Sequence, residues 1–220
     1  YFDLLNELID SILKFDEFQN TYKYYLKKYK LKKNDVIIDV GSGLGQELLY
    51  FSKIIGKKGK IFSIESDPRL FKVLKEIISL NNLKNVYLFN SFFYKKNNLK
   101  VKSKLLNIND WMSNSIYSVR GKFFETNTIT IDSIIKKYKL RKIDFAKFNV
   151  EGSEINLLSG NDIFLRKCQN ISISCHDFIN KKKFQTFSTM KKILKKKKFK
   201  IHDNFSNDRI KRYFIHAKKK

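Results

Sequence analysis

The sequence predicts a Rossmann-like α/β fold, in which a mostly parallel sheet has helices on both faces and an antiparallel C-terminal strand pair. Short apolar runs typical of buried strands alternate along the chain with segments of helical periodicity. A glycine-rich turn, Gly41–Gly45, joins the first of these strands to a helix. No internal repeat and no Pro/Gly-rich linker divides the 220 residues, so we expect one domain over residues 1–220.

The first part of the chain is predicted to form a helical segment followed by strand–helix units. Residues 1–32 carry two apolar stripes at helical spacing. The predicted units are strand Val36–Val40, helix Gln46–Ile55, strand Lys60–Glu65, a helix opened by Asp67 as N-cap and Pro68 in its first turn, and strand Val86–Phe89.

Residues 91–127 differ from the rest of the chain. They are rich in Asn and Lys, contain Trp111 and show no sustained period. A connection of this length is more typical of a functional insertion or lid than of a plain loop.

Regular elements are predicted again in the C-terminal half, ending in the antiparallel pair. They are strand Thr128–Ile131, a short helix capped by Asp132 or Ser133, strand Ile143–Val150, a helix beginning at Ser153–Leu158, strand Ile171–Cys175, basic helix Phe184–Leu194, and terminal strands Phe199–His202 and Tyr213–Ala217.

The formal charge of +25 has two explanations. Clustered basic side chains attract phosphate, which would fit a nucleic acid or an acidic membrane surface. Only six of the 46 basic residues are Arg, however, and the favoured residues Lys, Asn, Ile, Phe and Tyr have A/T-rich codons. We therefore attribute the charge mainly to genome composition, with nucleic acid as a less favoured partner.

The remaining composition indicates a cytoplasmic protein. Cys168 and Cys175 lack the number and spacing of a disulfide framework or zinc site. No run resembles a signal peptide or is long enough to span a bilayer.

The strongest local motif lies between the first strand and its helix. Glycines at 41, 43 and 45 allow the backbone to approach a ligand closely, and Glu65 ends the next strand, where a carboxylate can accept bonds from ribose hydroxyls. The spacing differs from the dinucleotide pattern G-x-G-x-x-G. Asp39 before the first glycine suits a ligand with an ammonium group better than a pyrophosphate. S-adenosylmethionine combines an ammonium group, a ribose and no phosphate, so we expect it as the cofactor.

A second motif follows the strand that begins at Ile143. This strand leads to Asn149 and Glu151 at the carboxyl edge of the sheet, where a transferred group would lie. Glu154 also has a simpler interpretation, because Ser153 can cap a helix whose dipole favours a carboxylate in its first turn.

At these residues the chain resembles the FkbM family of methyltransferases. The resemblance runs from about Lys33 to Asp177 and includes DVIIDVGSGLG, GKKGKIFSIESDP, TITIDSII, IDFAKFNVEGSE and ISISCHDF in that order. It implies a class I methyltransferase fold, S-adenosylmethionine as methyl donor and, usually, O-methylation of a sugar, polyketide or other small hydroxylated metabolite. By this resemblance Gly41, Gly43 and Gly45 form the donor loop, Glu65 contacts the ribose, and VEGSE lines the reaction centre.

Two positions depart from the family pattern. The family commonly has K-x-D-V/I-E-G-x-E, and the Asp position is Asn149 here, which keeps hydrogen-bonding geometry but loses the charge. The first loop has Ser42 and Leu44 around Gly43, where many members have Asn near its middle.

Methyl transfer to an alcohol also requires a positioned base. His176 is the first candidate, since it follows a predicted strand and lies next to Asp177, which could orient its ring. Glu151 is the rival base. The spacing of these residues does not indicate a metal site, so we expect none.

The favoured function is O-methylation of a hydroxyl on a sugar, glycan or other small metabolite. An RNA methyltransferase is the first alternative, supported by the charge and by aromatics among lysines, although no RNA-binding module or N/D-P-P-Y motif is present. A non-catalytic cofactor-binding protein is the second, suggested by Asn149. The sequence leaves the acceptor and the oligomeric state open.

Overall fold

The computed structural model describes residues 21–104, 123–150, 152–158, 160–179, 185–202 and 206–220. Most of the N-terminal segment predicted over residues 1–32, Trp111 with the middle of the predicted insertion, and Glu151 lie outside these ranges.

The principal sheet has seven strands in the order β3-β2-β1-β7-β8-β10-β9. Its strands are β1 Val36–Val40, β2 Lys60–Glu65, β3 Val86–Asn90, β7 Ile143–Phe148, β8 Cys168–Ser174, β9 Phe199–His202 and β10 Phe214–Lys219. The strands from β3 to β8 pair in parallel, whereas β10 is antiparallel to both β8 and β9. The predicted fold class, including the antiparallel terminal pair, is confirmed.

The helices connect these strands and cover them. They are α1 Tyr22–Tyr25, α2 Gln46–Ile55, α3 Pro68–Leu80, α4 Ile131–Lys137, α5 Asp162–Lys167 and α6 Phe187–Lys196, with 3₁₀ turns at Ser153–Leu158, Asp177–Ile179 and Lys211–Tyr213. Asp67 opens α3 as predicted, accepting the N–H of Arg69 on its side chain, with Pro68 in the first turn.

Each face of the principal sheet packs into its own core, because successive side chains of a strand point to opposite faces. On the face covered by α1 and α2, Ile37 and Phe145 pack with Tyr25 and Phe51. On the other face, Ile38 packs with residues of α4, α5 and α6. Burial on both faces explains why the parallel strands read as continuous apolar runs.

The predicted insertion contains a three-stranded sheet of order β4-β6-β5. Its strands are β4 Phe92–Phe93, β5 Lys100–Lys104 and β6 Phe123–Ile129. The strand predicted at Thr128–Ile131 therefore begins earlier and ends at Ile129. Its buried positions are Phe124, Thr126 and Thr128, and two inward threonines conceal the alternation that usually marks a strand. The sheet does not test the idea of a lid.

Several predicted element ends are wrong by a few residues. Thr130, rather than Asp132 or Ser133, caps α4, because its hydroxyl accepts the N–H of Ser133. The carboxylate of Asp132 instead accepts the N–H groups of Ile163 and Phe164 at the start of α5. Strand β7 ends at Phe148, β8 already begins at Cys168, and α6 begins only at Phe187.

Candidate functional site

The glycine turn lies between β1 and α2, at the carboxyl end of β1. Gly41, Gly43 and Gly45 all have positive φ angles, of 75°, 54° and 79°. A Cβ at Gly41 would lie 2.0 Å from the carbonyl oxygen of Asn149, so another residue would be both strained and in collision there. The turn therefore packs backbone against backbone at Gly41, and its predicted close approach to a ligand stays a prediction.

Glu65 ends β2 and contacts this turn directly. Its Oε2 accepts the N–H of Gly43 at 2.8 Å, and its Oε1 accepts the N–H of Asp67 at 2.9 Å. Burial raises the pKa of Glu65 to about 7; the two N–H bonds lower it in part, and the charge of Asp67 adds to the increase. The structure thus brings Glu65 to the glycine turn, and its contact with a ribose stays a prediction.

Asp39 lies in a buried group of charges beneath the turn. Its carboxylate is 3.0 Å from the ammonium of Lys147, which is also 3.6 Å from the Glu47 carboxylate. Burial raises the pKa of Asp39, and Lys147 opposes that increase. Burial lowers the pKa of Lys147, but Asp39, Glu47 and Tyr25 together with the hydrogen bond to Asp39 raise it above its ordinary value.

The ammonium next to Asp39 therefore belongs to the protein. Whether Asp39 also binds an ammonium group of a ligand stays a prediction. Lys147 and Glu47 are not among the site residues predicted from the sequence. The sequence did contain a signal of this charged group, namely a lysine at an inward position of the apolar run IDFAKF. Lysine is almost never fully buried unless it is paired, so a buried partner could have been expected.

Asn149 joins the end of β7 to the glycine turn through its backbone. Its N–H donates to the carbonyl of Val40 at 3.0 Å, and its own carbonyl is the group against which Gly41 packs. The predicted roles of the Asn149 side chain and of Glu151 stay predictions, and Glu151 lies outside the described residues.

His176 follows β8 and is buried, with 6% of its surface exposed. Its Nδ1 lies 3.4 Å from Oε1 of Glu154, which is fully buried. Glu154 is held in turn by the N–H of Gly152, which donates to Oε1, and by the hydroxyl of Thr186, which donates to Oε2. A buried carboxylate thus faces one nitrogen of the imidazole.

Asp177 does not orient His176 as expected. Its Oδ2 accepts the N–H groups of Thr186 and Phe187, both at 3.1 Å, at the start of α6. It therefore caps a helix, and Glu154 is the carboxylate next to the imidazole. Side chains of adjacent residues after a strand point in different directions. The position of Asp177 next to His176 in the sequence was therefore a poor guide to contact between their side chains.

Within the ranges that the structure describes, no three His, Cys, Asp or Glu side chains are grouped so that they could hold a metal ion. Cys168 and Cys175 are free and buried, and burial raises the pKa of both thiols, which disfavours a nucleophilic thiolate.

None of the helices described is both long and apolar enough to cross a membrane.

A family model described as the methyltransferase FkbM domain matches residues 39–201. Among solved structures, methyltransferase FkbM from Methylobacillus flagellatus has a TM-score of 0.61 at 15% identity, over 88% of this chain and 47% of that chain. Fibrillarin from Aeropyrum pernix, crystallised with natively bound S-adenosyl-L-methionine, has a TM-score of 0.51 at 15% identity, over 90% of this chain and 74% of that chain. At these identities the likeness shows the fold.

Two curated relatives are similar over a shorter stretch. Ribosomal RNA small subunit methyltransferase A from Halothermothrix orenii and a probable cobalt-precorrin-6B C(15)-methyltransferase from Sulfolobus acidocaldarius are each 33% identical over 61 residues, which is 28% of this chain. The matched stretches cover only 19% and 32% of the lengths of these relatives.

Proposed function

The chain belongs to the FkbM methyltransferase family, and on this premise we propose that it transfers the methyl group of S-adenosylmethionine to a hydroxyl oxygen of a sugar, glycan or other small metabolite. The observation that carries the proposal is the glycine turn bonded to Glu65 at the carboxyl ends of two neighbouring parallel strands. Ligands of open α/β sheets bind at this edge.

The residues present fit this donor. A carboxylate offers about four lone-pair sites, and the backbone uses two of those on Glu65, which leaves acceptors for two ribose hydroxyls. The group of Asp39, Glu47 and Lys147 holds two carboxylates and one ammonium, so its composition suits a cationic ligand. When bound, the donor supplies a methyl group activated by its sulfonium.

His176 is the proposed base for the acceptor hydroxyl. The carboxylate of Glu154 next to Nδ1 favours the tautomer that carries its proton on that nitrogen. Nε2 would then be available to accept the proton of the acceptor hydroxyl. The remaining rate enhancement would come from alignment of the acceptor oxygen with the methyl group.

Replacing Glu65 tests the donor site. We expect Glu65→Ala to weaken S-adenosylmethionine binding roughly tenfold to hundredfold, because hydrogen bonds to a charged group are lost. Isothermal titration calorimetry measures this change. Glu76→Ala, which removes an exposed carboxylate, is the control and should bind like wild type. Unchanged affinity in Glu65→Ala would place the donor elsewhere.

Replacing His176 tests the base. We expect His176→Ala to lower turnover roughly 10²-fold to 10⁴-fold with little change in donor affinity, since a general base acts on the chemical step. Transfer of a labelled methyl group to a metabolite extract measures turnover, and His202→Ala in β9 is the matched control. Near-normal turnover in His176→Ala would exclude it as the base. No transfer by wild type to any extract would favour the non-catalytic alternative.

RNA is a second candidate acceptor, favoured by the lysines along one edge of the sheet. Exposed or half-buried lysines of α6, β9 and β10 lie there, namely Lys191, Lys192, Lys195, Lys196, Lys200 and Lys218. Phosphate recognition weakens steeply with salt, so the slope of RNA affinity against salt concentration separates this candidate from a small-molecule enzyme.

A further inference from the structure

Lys147 is buried in the middle of the principal sheet, with 2% of its side chain exposed. It lies on β7, where its register partners are Asp39 on β1 and Ser172 on β8. Burying an ammonium group is unfavourable unless the group is paired and hydrogen-bonded. An apolar side chain of similar length would fill this space without that cost, so the contacts of the ammonium are informative.

The ammonium contacts all three parts of the unit that forms the glycine turn. Its Nζ donates to the carbonyl of Gly41 in the turn at 2.7 Å. It also lies 3.0 Å from Asp39 near the end of β1 and 3.6 Å from Glu47 in the first turn of α2. One side chain thereby links the strand, the turn and the helix.

The same turn is held from two other directions. The carbonyl of Asn149 packs against Gly41 at the end of β7. On the other side, the N–H of Gly43 donates to Glu65. A displacement of the Gly41 carbonyl would therefore also move the N–H that holds Glu65.

We propose that Lys147 is a positioning residue for donor binding, which acts by holding the Gly41 carbonyl and not merely by neutralising buried carboxylates. This inference rests on the donor placement proposed above. Lys147 itself need not touch the donor, because its effect passes through the turn to Gly43 and Glu65.

Two double variants separate positioning from neutralisation. Lys147→Met combined with Glu47→Gln keeps the formal net charge of the buried group but removes the donor to Gly41. Lys147→Gln combined with Glu47→Gln has the same charge and restores an uncharged N–H donor. We expect S-adenosylmethionine affinity to fall at least about tenfold in the methionine variant, and the glutamine variant to recover part of it.

The melting temperature of each variant must be measured beside its affinity. A lysine with a purely structural role would lower both the melting temperature and the affinity when it is replaced. A positioning lysine lowers the affinity and leaves the melting temperature unchanged. Lys142→Met, which removes an exposed lysine just before β7, is the control and should bind like wild type. Wild-type affinity in the methionine variant, equal affinities in the two double variants, or failure of both to fold would each overturn the inference. If Glu65→Ala keeps wild-type affinity, the donor placement fails instead.

Discussion

The side chain of Glu65 is buried, so the fold is more stable when this group is protonated, whereas ligand binding is expected to require its ionised form. Because the folded protein holds the proton of Glu65 more tightly than the unfolded chain does, this group stabilises the fold fully below its ordinary pKa of 4.5. That contribution is lost as the pH rises through about 7. The ionised form, in contrast, is the one that accepts hydrogen bonds from two ribose hydroxyls.

We therefore expect donor affinity to increase roughly tenfold between about pH 6 and pH 8, as Glu65 ionises. Calorimetry at three pH values measures this change. Glu65→Gln should bind more weakly at high pH and show a flat profile over the same range. An equally steep profile in Glu65→Gln would assign the dependence to another group.

At the residue scale, site residues could be predicted from the sequence where the local backbone geometry accepts only a few residue types. Gly41 is predictable because its backbone meets another backbone, and Glu65 because it ends the strand next to that turn. The inward position of Lys147 in IDFAKF was a signal of a paired lysine, but its partners were not predictable, and neither was the facing of Glu154 toward His176. Both depend on contacts between separate strands and turns. Such contacts leave no periodic signal in one sequence.

At the scale of elements, caps determine several boundaries. Thr130 caps α4 by a bond to the nearby Ser133, whereas Asp132 and Asp177 reach the starts of more distant helices, α5 and α6. The units from β1 through α2 to β2 were predicted to the residue because Gly41, Gly45, Gly56 and Gly59 mark most of their ends. The sheet of β4, β5 and β6 was missed because β6 has threonines at inward positions.

Asp177 gives a test at this scale. We expect Asp177→Ala to lower the stability by about 1–2 kcal/mol, because two N–H groups at the start of α6 lose their acceptor. Turnover at saturating donor should stay near that of wild type. Thermal melting and the labelled-methyl assay measure the two effects. A loss of turnover as large as that in His176→Ala would return Asp177 to the reaction centre.

At the scale of the whole molecule, the charge of +25 is the dominant property. Like charges at this density repel one another in the compact state, and salt screens that repulsion. Among the residues that the structure describes, ion pairs with exposed or part-exposed lysines, such as Lys102–Glu125 and Lys197–Asp162, contribute little, because exposed pairs are worth about 0–1 kcal/mol.

Raising NaCl from about 20 mM to about 300 mM should therefore raise the melting temperature by several degrees. Differential scanning calorimetry without phosphate measures this, so that no specific anion contributes. A melting temperature that falls with salt would mean that attractive ion pairs outweigh the net repulsion.

The position of β10 between β8 and β9 has a consequence for how the polypeptide assembles. In the described part of the chain, β9 finds its neighbour only in β10, which is made later during synthesis. Phe199–His202 can therefore join the principal sheet only after this partner strand is in place. Because β10 must first pair with β8, we expect the β9 edge of the principal sheet to form last.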